Sequence, residues 1–225
     1  MTILTLKKLC LKYGEQTVID DASFSLEDGD FACVVGANGS GKSTLVKAIL
    51  GLIKPASGEV VYGDGLAQTQ IGYLPQETRV DGNFPATAEE IVLSGCLGHM
   101  SIKPFYCHHE KKHALECLNT LGIGKLAKKS FSDLSGGQKQ KVLLARSLAA
   151  TKKLLILDEP SNNLDYKSRK SFYTTLKKLN GDQKLTIIMI THDLDADDLI
   201  GNKVIAIKES KVSVVGTTEY LEAYK

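Results

Sequence analysis

Eight consecutive residues, Gly36-Ala37-Asn38-Gly39-Ser40-Gly41-Lys42-Ser43, have the types and spacing needed to hold phosphate. They fit G-x-x-x-x-G-K-[ST] and lie between a predicted strand and a predicted helix, the context that separates this motif from an accidental glycine-rich turn. Glycines let successive backbone N–H groups turn inward around phosphate oxygens, and the following helix adds its positive N-terminal end. Lys42 is placed to reach β- and γ-phosphates and Ser43 to offer its hydroxyl to Mg²⁺, with Thr44 beside it. Farther along, the apolar run Leu154 to Leu157 ends in Asp158-Glu159. Asp158 continues the strand and would bind Mg²⁺ directly or through water, whereas Glu159 is next in line to polarise an attacking water. Taken alone, two acids at a strand end are a common surface feature. Beside a phosphate loop they read as the metal-holding and base halves of a phosphoryl-transfer site.

The elements that must position these groups are visible as apolar runs. Phe31 to Val35, Leu154 to Leu157 and Thr186 to Ile190 are apolar without alternation, which suits parallel strands covered on both faces. Each ends in polar residues, and open α/β sheets bind ligands at the carboxyl ends of their strands, so three strand ends nominate one site. Residues 1–30 alternate more like an antiparallel sheet, and Lys54-Pro55-Ala56-Ser57-Gly58 is a turn leading into a strand over Glu59 to Tyr62. From about Thr87 to Leu134 the pattern becomes helical, with helices predicted over 88–93 and 113–118. The expected fold is α/β: one domain over residues 1–225, with an N-terminal antiparallel β region and a helical subdomain inserted at about 85–134. No internal repeat, low-complexity tract or linker interrupts it.

Composition excludes several classes. The chain has 225 residues, 43% hydrophobic and 24% charged, which is ordinary globular composition and enough length to bury a core without disulfides. The longest apolar stretches fall far short of the roughly 20 residues a membrane span needs. No secretory signal opens the sequence, so the expected location is the cytoplasm. Five cysteines, odd in number and without a CxxC pair, fit reduced thiols, and Cys33 reads as core packing. A formal net charge of +2 is too small to imply nucleic-acid binding, and Lys125, Lys128 and Lys129 read as a solvated helix end.

Leu134-Ser135-Gly136-Gly137-Gln138 is the most diagnostic segment, since it should arise by chance in on the order of one chain in several thousand of this length. With it, nearly the whole chain resembles a nucleotide-binding subunit of the ATP-binding cassette (ABC) family, a P-loop NTPase cassette, with every family motif in the expected order. The resemblance implies further roles. Tyr13 would stack on adenine, for which a large ring face is suited. Gln76, in Leu74-Pro75-Gln76-Glu77, would meet Mg²⁺ and the γ-phosphate and link the core to the helical insertion. His192 would contact the γ-phosphate. Gly36, Asn38, Gly39, Gly41, Lys42, Ser43 and Thr44 would bind ATP, while Ser135, Gly137 and Gln138 would face the phosphate loop of another copy. Such an arrangement implies a homodimer clamping two ATP molecules, peripheral on the inner face of the membrane. It would drive an integral membrane permease, with an extracytoplasmic substrate-binding protein in the same system.

Two segments leave alternatives open. Ser161-Asn162-Asn163-Leu164-Asp165 occupies the loop that crosses between subunits in the family, yet departs from the usual small-residue form. Its asparagines resemble paired-cassette ATPases that act on ribosomes, which carry two cassettes and a long linker in one chain. Cys107-His108-His109 with His113 reads either as part of a metal site or as a solvated, weakly ordered helix start. The absence of fused membrane helices favours import. The stretches Phe84 to Gly95 and Val142 to Leu154 are similar to cassettes that import divalent metals, zinc or manganese, with an iron chelate or another solute as the alternative cargo.

Overall fold

The computed structural model describes residues 1–63, 65–76, 85–99, 105–162, 164–191 and 199–223. The chain opens with two long strands, β1 (Thr2–Tyr13) and β2 (Gln16–Glu27), then β3 (Phe31–Gly36), helix α1 (Lys42–Ile49), β4 (Ser57–Tyr62) and β5 (Ile71–Leu74). Helices α2 (Ala88–Leu93), α3 (His108–Thr120) and α4 (Gly136–Ala149) follow. The remainder comprises β6 (Leu154–Asp158), α5 (Tyr166–Gln183), β7 (Thr186–Ile190), β8 (Lys203–Lys208), β9 (Lys211–Gly216) and α6 (Thr217–Ala223).

The strands form a three-stranded antiparallel sheet, β2-β1-β4, and a six-stranded sheet, β5-β6-β7-β3-β8-β9. The first five strands of the larger sheet are parallel, and β9 closes it antiparallel to β8. This matches the predicted class, with the antiparallel region at the N-terminus. The unbroken apolar runs are explained by two cores. Ala32, Val34, Leu154, Ile156, Ile188 and Ile190 face the small sheet and α1. Their neighbours Cys33, Val35, Leu155, Leu157, Ile187 and Met189 face the helical layer. Successive side chains of a strand point to opposite faces, so a strand covered on both sides has no position where a polar residue is free of cost. Cys33 is a buried core residue, and all five thiols are free.

Asp30 ties the start of β3 to the start of β8. Its carboxylate accepts from Lys203 Nζ at 2.7 Å, from the Glu27 N–H at 2.7 Å and from Asn202 Nδ2 at 3.0 Å. Asn202 Oδ1 in turn accepts from the Phe31 N–H at 2.7 Å.

On the other face, α2 and α3 pack on α4. Thr87 caps α2 in a reciprocal box: Thr87 Oγ1 accepts from the Glu90 N–H, and Glu90 Oε2 from the Thr87 N–H at 2.7 Å. Helix α3 is longer than the predicted 113–118. It begins at His108 because Glu110 accepts from the Cys107 N–H at 2.7 Å, so the Cys107 to His113 stretch is an ordered first half of a helix. Among the described residues, no group of three or more His, Cys, Asp or Glu is placed to hold a metal. His113 faces Cys117, with Nε2 3.9 Å from Sγ. No helix of the described residues is long and apolar enough to cross a membrane.

Candidate active site

The predicted strand ends do converge. Asp158 is in register with Ile190, Ile190 with Val34, and Leu74 with Leu157, so β5, β6, β7 and β3 end along one edge of the sheet. A cleft of about 490 Å³ lies there, lined by Tyr13, Asn38, Gly39, Gly41, Lys42, Ser43, Thr44, Gln76 and Glu159, together with Gln16 and Val18.

The phosphate loop has the backbone its glycines permit. Gly39 and Gly41 lie in the left-handed region, at φ 78° and 105°, and Gly41 immediately precedes α1. A Cβ at Gly41 would sit 2.6 Å from Val18 Cγ1, so the antiparallel sheet presses on the loop and leaves no room for a larger residue. Lys42 is buried, and its Nζ donates to the carbonyls of Gly36 and Ala37 at 2.9 and 3.0 Å. Burial holds its ammonium below the ordinary lysine value, against the opposing pull of the Glu159 and Asp158 carboxylates. Ser43 and Thr44 sit in the first turn of α1, where N–H groups and the helix dipole add to the positive end.

Asp158 and Glu159 are both buried. Asp158 ends β6 as a strand residue, and Tyr73 on β5 hydrogen-bonds to it, its phenol pushed up to about 12 by burial and by that carboxylate. Glu159 breaks the strand direction with a left-handed φ of 49°, while its N–H donates to Ile190 O at 3.2 Å. The kink turns its carboxylate into the cleft, where Gln76 Nε2 donates to Oε2 at 2.5 Å.

Gly36 and Asp158 do not line the cleft, and two further groups of predicted residues stand apart. Ser135, Gly137 and Gln138 form the start of α4 and do not line this cleft. Ser135 Oγ accepts from the Gln138 N–H at 3.4 Å and Gln138 Oε1 from the Ser135 N–H at 3.1 Å, so this segment is a capping box as well as a motif. Ser135 and Gly136 are exposed, presenting that helix end outward. His192 and Asn163, and Phe84 of the stretch compared with metal importers, lie outside the described residues.

Sequence reasoning missed three participants. Tyr73 precedes the Leu74-Pro75-Gln76 run, and no sequence signal marks it, because the pairing that sets it beside Asp158 joins segments far apart in the chain. Gln140 Nε2 donates to Pro160 O at 2.7 Å, joining α4 to the residue after Glu159. Asn162 also donates to Glu159 Oε2, although in the sequence it stood out only as a departure from a loop pattern.

A glycine loop with left-handed torsions leading into the first turn of a helix, with a buried ammonium beside it, fits the phosphates of a nucleotide. The hydroxyl and carboxylate oxygens of Ser43 and Asp158, with the Gln76 amide oxygen, fit Mg²⁺, which prefers one or two carboxylates completed by phosphate and water. A family model described as "ABC transporter" matches residues 19–162. The chain is 36% identical to the high-affinity zinc uptake system ATP-binding protein ZnuC of Bacillus subtilis, over 94% of this chain and 93% of that one. It is 36% identical to the zinc transport system ATP-binding protein TroB of Treponema pallidum, over 95% and 83%. Among solved structures, a metal-chelate type ABC transporter in an inward-facing conformation matches with a TM-score of 0.88 at 30% identity, covering 98% of this chain and 86% of that one. A dimeric ATP-binding cassette in a post-hydrolysis state, bound to ADP and Pi, matches with a TM-score of 0.76 at 28% identity, covering 96% and 99%. The chain therefore belongs to the ABC transporter family and is one of its ATP-binding, ATP-hydrolysing cassettes.

Proposed function

We propose that this cassette powers import of a divalent metal ion, zinc or manganese, through a separate membrane permease. The observation that carries the ATPase half of this reading is the meeting of Lys42, Ser43, Gln76 and Glu159 in one cleft at the strand ends. For the cargo, the support is the repeated zinc and metal transport naming of relatives that align over most of the chain.

In this reading residues 1–225 are one nucleotide-binding domain carrying a helical subdomain over about 85–134. The chain works peripherally at the inner face of the membrane, with an extracytoplasmic binding protein delivering cargo to the permease. Tyr13, exposed at the end of β1, stacks on adenine. The phosphate-loop N–H groups and Lys42 hold the β- and γ-phosphates, and His192 contacts the γ-phosphate. Ser43, Asp158 and Gln76 would hold Mg²⁺, which when bound would neutralise phosphate charge. Glu159 accepts a proton from the attacking water.

Ser135 is exposed and neither it, Gly137 nor Gln138 lines its own cleft, which supports the reading that these residues complete the site of a second copy. ATP then bridges two subunits, and hydrolysis removes the bridge, so nucleotide binding energy is converted into opening and closing.

The test is reconstitution with its membrane permease and measurement of ATP-dependent uptake of zinc, manganese and iron chelates. Uptake of zinc or manganese is expected. Uptake of an organic solute with no metal response would discard the cargo and leave the ATPase standing. Size-exclusion chromatography of Glu159→Gln with and without ATP tests the dimer. A species that remains monomeric at saturating ATP would discard the bridged arrangement.

A further inference from the structure

Glu159 is held by more than the backbone kink. Its N–H is anchored to Ile190 O, and the chain then turns back: the Asn162 N–H donates to Glu159 O at 3.4 Å, closing a tight turn with Pro160 at the second position. Ser161 is buried, its hydroxyl 2.9 Å from the Tyr173 hydroxyl of α5. Pro160 is fixed from the other side by Gln140 of α4. With three of the four turn residues pinned by separate elements, the position of Asn162 follows from the turn. Its side-chain amide then reaches back onto Glu159 Oε2. That oxygen is the one that also accepts from Gln76.

We infer that Asn162 is a positioning residue for hydrolysis, its amide donor fixing the rotation of the Glu159 carboxylate; this rests on Glu159 acting as the base. A carboxylate that polarises water must keep one orientation within hydrogen-bond reach of the attacking oxygen. Gln76 supplies one donor, but it stands at the start of the segment leading into the helical insertion. Asn162 belongs to the same turn as the base and moves with it. Two N–H donors on one oxygen resist rotation about the terminal side-chain bond, which is otherwise soft.

The test compares wild type, Asn162→Ala, Asn162→Asp and Glu159→Gln in the full chain. ATP hydrolysis is followed by phosphate release, ATP binding with a fluorescent analogue, and stability by thermal melting. Asn162→Ala is expected to lower kcat roughly ten- to a hundredfold, the range of a lost hydrogen bond to a charged group, with KM for ATP, nucleotide binding and Tm unchanged. Asn162→Asp has the same shape and suits the turn equally well, but it replaces a donor by a like charge; its kcat should fall at least as far. In the Glu159→Gln background, Asn162→Ala should cause no further loss.

Wild-type turnover in Asn162→Asp would show that the side chain matters only for shape and would overturn the inference. So would a loss of kcat matched by weaker ATP binding or a lower Tm, or an equal further loss in the Glu159→Gln background. If Glu159→Gln itself keeps full turnover, the base assignment fails and the inference with it. If Glu159→Gln is inactive while both Asn162 variants are fully active, only the role of Asn162 is removed.

Discussion

Gln76 and Glu159, 83 residues apart, share a hydrogen bond of 2.5 Å from the Gln76 amide to Glu159 Oε2. The contact joins the residue at which the chain leaves the parallel sheet for the helical layer to the acid at the end of β6. Gln76→Glu would set two carboxylates against each other at that distance. We expect turnover to fall on the order of tenfold or more, since like charges at hydrogen-bond range displace each other's favoured position. Gln76→Ala should be milder. Phosphate-release assays at saturating ATP check both, and wild-type turnover in Gln76→Glu would refute the contact's importance.

Lys42→Ala should weaken ATP binding by at least about tenfold, because in the proposed role this buried ammonium, which donates to the Gly36 and Ala37 carbonyls, makes charge-assisted contacts to phosphate. The ammonium's burial beneath the loop is itself unfavourable to its charge, so removing it should not unfold the chain. Titration with a fluorescent ATP analogue, alongside a thermal melt, separates the two quantities. Unchanged affinity would remove Lys42 from the phosphate contact.

Ser135 has two duties, and substitutions can divide them. Ser135→Ala removes the cap on α4 and should cost about 1 kcal/mol of stability. Ser135→Asp retains a capping oxygen while placing negative charge on the outward face of that helix end. It should therefore keep stability near wild type yet abolish hydrolysis, if the partner's γ-phosphate meets this residue. Urea unfolding and ATPase assays on the same preparations give the comparison. Full activity in Ser135→Asp would refute the composite site.

Asp30→Asn should destabilise the fold by about 2 kcal/mol at neutral pH, because Lys203 loses its buried partner. Burial raises the Asp30 carboxyl, but the hydrogen bonds from Lys203, the Glu27 N–H and Asn202 outweigh it and leave the group below its ordinary value. A depressed carboxyl contributes stability that is fully present above the unfolded value of about 3.9. It is lost as pH falls through the lowered folded value. The difference between wild type and Asp30→Asn should therefore be constant from pH 7 down to about 5 and shrink below about 4. Urea unfolding across that range would show it, and a gap that widens on acidification would contradict the assignment.

The sequence by itself determined the ATPase class and where in the fold its motifs lie. Gly36 to Ser43 and Asp158-Glu159 could be read because phosphate binding needs glycine torsions and a lysine at fixed local spacing, and because both segments follow apolar runs that only parallel strands explain. The antiparallel N-terminal region was legible for the same local reason. What only tertiary structure decided are relations between distant segments. The apolar runs divide alternately between two cores, a fact invisible until both faces are covered. Val18 closing on Gly41, Gln140 on Pro160 and Tyr73 on Asp158 depend on which strands and helices become neighbours. The extent of α3 turned on a side chain, Glu110, reaching back to a backbone N–H. Asn162 shows the division most clearly: in sequence it is an unusual residue in a loop, and only a left-handed kink at Glu159 followed by a tight turn brings its amide onto the Glu159 carboxylate. Local spacing fixes which groups are chemically competent, whereas their orientation follows from long-range packing that no single segment encodes.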